Sequence, residues 1–165
     1  MSVSPAEFKA ALGRWPSGVT IVTARSDRGP AGLTVSAFFS VSLRPPLVGV
    51  CLDRQSETLP IILEQRRFAI NVLASDQSAL SDRFAMADER IRFDGVELLD
   101  APGSRSPFLA GAVAQLDCDL DAAHDAGDHV LCIGRIALAL AHAGAPLVYQ
   151  GSRYQQLAPL APPHE

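Results

Sequence analysis

Lysine is almost absent from this sequence: of its fourteen lysine and arginine residues, only Lys9 is a lysine. A cofactor that bonds covalently to a lysine, as pyridoxal phosphate does, would therefore have to use Lys9. The sequence places Lys9 on an amphipathic helix near the N-terminus, which argues against such a cofactor. Positive charge is also in short supply, since the net charge is −4. This balance argues against binding nucleic acid through its phosphates.

Cysteines and long apolar runs are scarce as well. Cys51, Cys118 and Cys132 are odd in number and form no C-x-x-C pair. They are therefore predicted to be small core residues in a reducing compartment, not a disulfide framework or a zinc site. No apolar stretch is long enough to cross a membrane, and no basic segment followed by an apolar run opens the chain. We therefore expect a cytoplasmic protein without a signal peptide or a membrane span.

The common nucleotide-binding and hydrolase motifs are missing. The sequence has no G-x-x-x-x-G-K-[ST], no G-x-S-x-G and no G-x-G-x-x-G, so a P-loop, an α/β-hydrolase and a Rossmann fold lack support. What is present is an ordinary globular composition, with 48% apolar and 19% charged residues in 165. We expect one domain over residues 1–165, with a core at about 8–157 and a tail at 158–165.

The pattern of elements favours strands. A capping box of Ser4 and Glu7, with Pro5 in the first turn, predicts an N-terminal helix with an apolar stripe of Phe8, Ala11, Leu12 and Trp15. Further helices are predicted over residues 58–65, from a Ser75 cap through Phe84, and as a short piece at 88–93. Irregularly spaced helices favour a mainly antiparallel barrel with helices outside. The predicted strands cover residues 18–24, 31–42, 47–52, 67–73, 112–121, 130–141, 147–150 and 154–157.

Two stretches contain side chains of the kind that bind metal ions, but each is predicted to have a simpler role. Asp117, Asp119 and Asp121 resemble the start of a calcium loop, yet the glycine and glutamate that such a loop needs are replaced by Ala122 and Asp128. Alternation along the strand instead predicts a solvated face that also includes Gln115. The stretch "HDAGDH", residues 124–129, offers two close imidazoles, but no further ligands are spaced for them. It is predicted to be a polar turn, although it carries more charged residues than a turn needs.

The stretch "TVSAFFSVSLRPPLVGVCLDRQSET", residues 34–58, is unusually rich in hydroxyls for a buried strand region. Ser56 and Thr58 lie at a predicted helix start, where free N–H groups and the helix dipole attract anions. Arg54 precedes them and can donate a forked pair of hydrogen bonds. The alternative is that these residues only cap the helix and that Arg54 is a surface residue. Even spacing predicts that four hydroxyl residues in this stretch share one face of a strand. That face is interpreted either as the mouth of a ligand site or as the solvated face of an edge strand. The four residues are Thr34, Ser36, Ser40 and Ser42.

These pieces together resemble the short-chain flavin reductase family, the NAD(P)H:flavin oxidoreductases that serve two-component monooxygenases. The resemblance runs from about residue 8 to residue 157. It is carried by "SGVTIVTA", "GLTVSAFFSVSLRPPLVGVCLDRQSET", "RFAINVL", "LSDRFA", "HDAGDH", "LCIGRI" and "YQGSRY", which occur in this order.

The resemblance implies a mainly β fold of the α+β kind, a split β-barrel of the FMN-binding type with peripheral helices. It also implies a homodimer with flavin near the subunit interface. Hydride would pass from NADH or NADPH to N5 of FMN or FAD, and reduced flavin would diffuse to a partner monooxygenase. His129 would lie at the catalytic position beside the nicotinamide. The flavin itself would be bound by Thr34, Val35, Ser36, Ala37, Cys51, Leu52 and Asp53, its phosphate by Arg54, Ser56 and Thr58, and its ribityl and phosphate side by Asn71 and Phe84.

Other functions on the same barrel stay open at this point, because one fold hosts several functions. A non-enzymatic flavin-binding module would bind flavin without oxidising NAD(P)H, and a structural dimerisation domain would bind no flavin. The sequence does not distinguish FMN from FAD or NADH from NADPH. It also leaves open whether flavin is a bound cofactor or a substrate, and which monooxygenase it serves.

Overall fold

The computed structural model describes residues 3–158 as a mainly β protein with three α-helices. All strand pairs among these residues are antiparallel. The helices are α1 (Pro5–Leu12), α2 (Thr58–Gln65) and α3 (Ser78–Met86), with a short 3-10 helix at Glu89–Ile91. The strands are β1 (Ser17–Gly18), β2 (Thr20–Ser26), β3 (Gly29–Val35), β4 (Phe38–Ser42), β5 (Leu47–Asp53), β6 (Arg67–Val72), β7 (Leu98–Leu99), β8 (Phe108–Leu109), β9 (Ala114–Ala126), β10 (His129–Ala141), β11 (Val148–Gln150) and β12 (Arg153–Gln155).

Seven strands form the main sheet, in the order β3-β2-β6-β9-β10-β5-β4. Its two edge strands, β3 and β4, follow each other in the sequence and are joined only by Ser36 and Ala37. The sheet must therefore curl until these two edge strands lie close together. Beside their junction, the Cys51 N–H donates a hydrogen bond to the Ala37 carbonyl at 3.0 Å. The single strand predicted over residues 31–42 is thus wrong. The chain leaves one edge of the sheet at Ser36 and enters the other at Phe38.

The core fills the inside of this curved sheet. Fully buried side chains from several strands meet there, among them Val22, Leu52, Ile70 and Cys118. A second apolar cluster around Leu73, Phe84 and Leu109 lies between the sheet and α3. Two smaller sheets, β1-β11-β12 and β7-β8, flank these clusters.

Helix α1 has the predicted capping box, with Ser4 accepting from the Glu7 N–H and Glu7 accepting from the Ser4 N–H. None of its residues is buried. The predicted apolar stripe is therefore exposed on the single chain, with Phe8 58% and Trp15 73% accessible.

Helix α2 has the predicted bounds and packs Leu59 and Ile62 onto the curved sheet, while Leu63 is exposed. The predicted Ser75 cap of α3 is wrong, because that helix begins at Ser78. Ser75 instead donates its N–H to the Ala145 carbonyl at 2.8 Å, in a turn that precedes the helix.

The polar face of β9 is not the solvated surface that alternation predicts. Gln115 and Asp117 are 1% and 0% exposed. Asp117 accepts hydrogen bonds from Arg105 Nε at 3.0 Å and the Ser106 N–H at 3.2 Å. The loop that precedes β8 covers Asp117 and supplies both of these donors. Gln115 bonds elsewhere in the protein, with its Nε2 donating to the Leu109 carbonyl at 3.1 Å and its Oε1 2.9 Å from His142 Nε2.

None of the helices described between residues 3 and 158 is long and apolar enough to span a membrane. Residues 159–165 of the predicted tail lie outside the described residues.

Candidate functional site

Three of the predicted site segments meet at one end of the curved sheet. The first is the β3–β4 junction at Ser36 and Ala37, and the second is the end of β5 with the turn that follows it. The Cys51 N–H to Ala37 carbonyl bond joins these two segments. The third is the start of β10, where His129 lies directly opposite Asp53 on β5. Segments far apart in the sequence are therefore brought to one place by the order of strands.

The β3–β4 junction offers both buried and exposed groups. The Thr34 hydroxyl donates to the Ser81 carbonyl of α3 at 2.6 Å, and Val35 is 5% exposed, with its carbonyl accepting from Thr20 Oγ1 at 2.7 Å. Ser36 and Ala37 are exposed. A ligand at this junction would therefore meet backbone groups and Ser36 first, because the Thr34 hydroxyl already holds α3 in place.

Residues 53–58, which we call the β5–α2 turn, form a tight turn into the helix. The Ser56 N–H donates to the Asp53 carbonyl at 3.1 Å, and Ser56 Oγ accepts from the Thr58 N–H at 3.2 Å. Asp53 Oδ1 also accepts from the Gln55 N–H at 2.8 Å. Cys51 before this turn is half-buried, and Leu52 is part of the core.

Thr58 supplies the clearest sign of a ligand in this turn. Its side chain is fully buried, yet Oγ1 has no hydrogen-bond partner among the residues that the structure describes. Buried hydroxyls are rarely left unpaired, and this one belongs to the first turn of α2, at the positive end of the helix dipole. The Thr58 N–H already donates to Ser56 Oγ, and Pro60 has no N–H. The unpaired Thr58 hydroxyl is therefore the group that fits a phosphate here.

Arg54 reaches from the same turn to the β9–β10 hairpin. Its Nη2 contacts Asp125 Oδ1 at 2.6 Å, its Nε donates to the Gly127 carbonyl at 2.9 Å, and its backbone N–H donates to the Asp128 carbonyl at 3.1 Å. We call residues 125–129 the hairpin tip. Gly127, with φ +67°, makes the turn there, as a residue without a side chain can.

His129 ends the hairpin tip and is partly exposed. Its Nδ1 contacts Asp128 Oδ1 at 2.7 Å. The hydrogen bond from the imidazole lowers the pKa of the exposed Asp128 carboxyl. Nε2 makes no hydrogen bond within residues 3–158, so one ring nitrogen is left for a ligand.

Asn71 and Phe84, also predicted at the site, are fully buried instead. Asn71 Nδ2 donates to the Ile21 carbonyl at 3.1 Å, and its Oδ1 accepts from the Leu109 N–H at 2.8 Å. Phe84 packs edge-to-face on Phe93. Neither side chain presents a surface to a ligand in this conformation.

Two contacts of the site are absent from the sequence-based prediction. The first is the pair of contacts that Asp125 and Gly127 make with Arg54, for which the excess of charged residues in "HDAGDH" is a usable signal. Tyr154 is the other case: its hydroxyl bonds to Ser81 at 3.0 Å and to Asp82 at 2.5 Å, which fixes α3 behind Thr34. Burial, followed by the Asp82 carboxylate, raises the pKa of Tyr154.

Other chemistry-bearing residues do not form a second centre. No group of three metal-ligating side chains comes together in the described part of the chain. Burial raises the pKa of Cys118 to about 12 and that of Cys132 to about 11, so both thiols are protonated at neutral pH. A groove of about 740 Å³ lies between the β2–β3 turn and α2, and none of the predicted site residues lines it.

The chain matches the family described as "Flavin reductase like domain" over residues 12–158. It is 40% identical to the FMN reductase (NADH) SmoA of Agrobacterium fabrum, over 89% of this chain and 83% of that protein. It is 35% identical to the 4-hydroxyphenylacetate 3-monooxygenase reductase component of Thermus thermophilus, over 91% of this chain and 95% of that protein. Its structure superposes with a TM-score of 0.89 on the NADH:FAD oxidoreductase SgcE6 of Streptomyces globisporus in complex with NAD and FAD fragments. That protein is 31% identical, and the match covers 98% of this chain and 99% of the other.

Proposed function

The chain belongs to the family of flavin reductase-like domains, and we propose on this basis that it is an NAD(P)H:flavin oxidoreductase. It reduces FMN or FAD with a nicotinamide nucleotide and supplies the reduced flavin to a monooxygenase. The observation that carries the proposal is the meeting of the β3–β4 junction, the β5–α2 turn and His129 at one end of the sheet. This meeting occurs in a chain that is similar to named NADH-dependent flavin reductases over most of its length.

The flavin ring is proposed to bind along the β3–β4 junction and the end of β5. Backbone groups carry most of these contacts, because the Val35 and Leu52 side chains point into the core and the Thr34 hydroxyl is bonded to α3. The proposed ring contacts are made by Thr34, Val35, Ser36, Ala37, Cys51, Leu52 and Asp53. For Asn71 and Phe84 we propose a supporting role behind these residues, in place of direct contact.

The flavin phosphate is proposed to bind at Arg54, Ser56 and Thr58. The buried Thr58 hydroxyl would donate a hydrogen bond to a phosphate oxygen at the positive end of α2, with Arg54 adding a cation nearby. A phosphate there would give the unpaired Thr58 Oγ1 a partner.

When bound, the flavin supplies the hydride-accepting chemistry at N5. The residues of this chain bind and orient the reactants. His129 is proposed to hold the nicotinamide with the ring nitrogen that Asp128 leaves free. No protein nucleophile is needed, and the protonated thiols of Cys118 and Cys132 are consistent with that.

We further propose that residues 1–165 form one split-barrel domain that works as a cytoplasmic homodimer. The exposed apolar side chains Phe8, Leu12 and Trp15 of the α1 region support association, because large exposed apolar patches mark interaction sites. The flavin-facing segments lie at an open surface that a second subunit could cover.

The test is a steady-state assay of NADH and NADPH oxidation with added FMN, FAD or riboflavin. We expect nicotinamide consumption only when flavin is present. Flavin binding without consumption of either nicotinamide would make the protein a flavin-binding module instead. Absence of flavin binding would leave a structural dimerisation domain.

A further inference from the structure

We infer that Arg54 is the positioning residue for His129 and that it acts through Asp125 and Gly127 of the hairpin tip. The inference rests on the proposed function, and it adds a role that the phosphate site alone does not require. One side chain of the β5–α2 turn would then link the flavin side of the site to the nicotinamide side.

The β9 side of the hairpin tip needs such a tether because it is a sheet edge. Pairing between β6 and β9 ends at Arg67 and Asp119. From Ala122 onward, β9 pairs only with β10 among the residues that the structure describes, and residues 123–128 are all exposed. Strand β10 is itself paired with β5 as far as His129, so the part without a second neighbouring strand is the end of β9 with the turn at Gly127 and Asp128.

Arg54 supplies that tether at three residues of the tip. The guanidinium spans the Asp125 carboxylate and the Gly127 carbonyl, and the backbone N–H holds the Asp128 carbonyl. The planar guanidinium fork fixes the relative positions of both acceptors, which a lysine ammonium does not.

The tether acts close to the imidazole. Asp128 receives the Arg54 N–H on its carbonyl and contacts His129 Nδ1 with its carboxylate. His129 in turn lies opposite Asp53, the residue that precedes Arg54. The β5 pairing holds the His129 backbone, so a movement of Asp128 away from Arg54 would act on the imidazole through the Asp128 carboxylate that contacts Nδ1.

Asp125→Asn tests this role without removing the Arg54 charge from the phosphate site. Two explanations predict opposite signs. If Asp125 acts only as a negative charge, its loss should lower the KM for the anionic NADH. If it positions the tip, its loss should raise that KM, by about threefold for one exposed ion pair.

We expect the raised KM for NADH with an unchanged FMN affinity and an unchanged preference for FMN over riboflavin. Asp125→Glu, which keeps the carboxylate, should restore part of the loss. Asp121→Asn is the matched control, because Asp121 lies on the same strand and pairs with Arg135 instead. Amide hydrogen exchange at Gly127 and Asp128 should become faster in Asp125→Asn only.

An unchanged or lowered KM for NADH in Asp125→Asn, with the wild-type protein active, would overturn the inference and leave the proposed function intact. A parallel loss of FMN affinity and melting temperature would also overturn it, since it would show a general structural role. Failure of the wild-type protein to oxidise NADH or NADPH with any flavin would instead overturn the proposed function.

Discussion

Asp117→Ala should be one of the most destabilising single changes on β9. The carboxylate is 0% exposed and accepts from Arg105 Nε and the Ser106 N–H. Its removal leaves a buried N–H without an acceptor and Arg105 with only Asp119, at 2.8 Å. Breaking a buried ion pair costs about 3–5 kcal/mol. We expect about 3 kcal/mol, the lower end, because Arg105 is 31% exposed and keeps one partner.

A graded series makes this magnitude measurable. In Asp117→Asn the amide oxygen can still accept from Ser106, so about 1.5–2 kcal/mol should be lost with the charge-assisted bond alone. Asp121→Asn, on the same strand, removes an ion pair whose carboxylate is 35% exposed. It should cost less than about 1 kcal/mol.

The assay is urea unfolding followed by circular dichroism. All variants are measured at one fixed protein concentration, because the apparent stability of a protein that dimerises, as we propose for this one, depends on its concentration. Each kcal/mol lowers the melting temperature by about 2–4 °C in a domain of this size. Asp117→Ala should therefore melt about 6–12 °C below the wild type. If it unfolds at the same midpoint as Asp121→Asn, Asp117 is not the buried anchor that we describe.

Three further predictions concern the proposed site. Arg54→Ala combined with Ser56→Ala should weaken the binding of FMN more than that of riboflavin, by about tenfold for one charge-assisted bond. Equal losses of affinity for the two flavins, measured by titration, would remove both residues from the phosphate site. His129→Ala should slow flavin reduction or raise the KM for NADH about tenfold, while the affinity for flavin stays close to that of the wild type. Unchanged stopped-flow kinetics of flavin reduction in a folded variant would remove His129 from the site. Light scattering at micromolar concentration should give a dimer, and an active monomer of about 17.5 kDa would contradict this.

The sequence predicts correctly those elements that are determined by residues within a few positions of one another. The Ser4–Glu7 capping box and the bounds of α2 are confirmed, because caps and apolar spacing are set within a few residues. The site segments could also be proposed from the sequence, since residues 34–58 and "HDAGDH" carry an excess of polar groups. The flavin chemistry came from the family resemblance, not from those residues alone.

The failures have causes that lie far away in the sequence. Alternation predicts a solvated face at Asp117, because it cannot reveal that Arg105 and Ser106 cover this residue. The break at Ser36 has no glycine or proline to mark it, and it arises because consecutive strands join opposite edges of one sheet. The burial of Thr58 Oγ1 without a partner depends on how α2 packs in the folded chain. The contacts of Arg54 depend on the position of the hairpin tip, which is distant in the sequence.

The strand order also bears on how the protein folds. The pairs β2–β3, β4–β5 and β9–β10 are each close in sequence, but the proposed site takes its residues from the junction of the first two and from the tip of the third. Arg54 and Gly127, for example, are 73 residues apart. Contacts between distant residues form more slowly than local ones because the intervening loop must first close.

We therefore expect FMN-binding competence to return in the last kinetic phase of refolding, after most of the β-sheet signal. Stopped-flow refolding with FMN fluorescence and far-ultraviolet circular dichroism in parallel would test this, and FMN binding that recovers with the earliest β signal would contradict it.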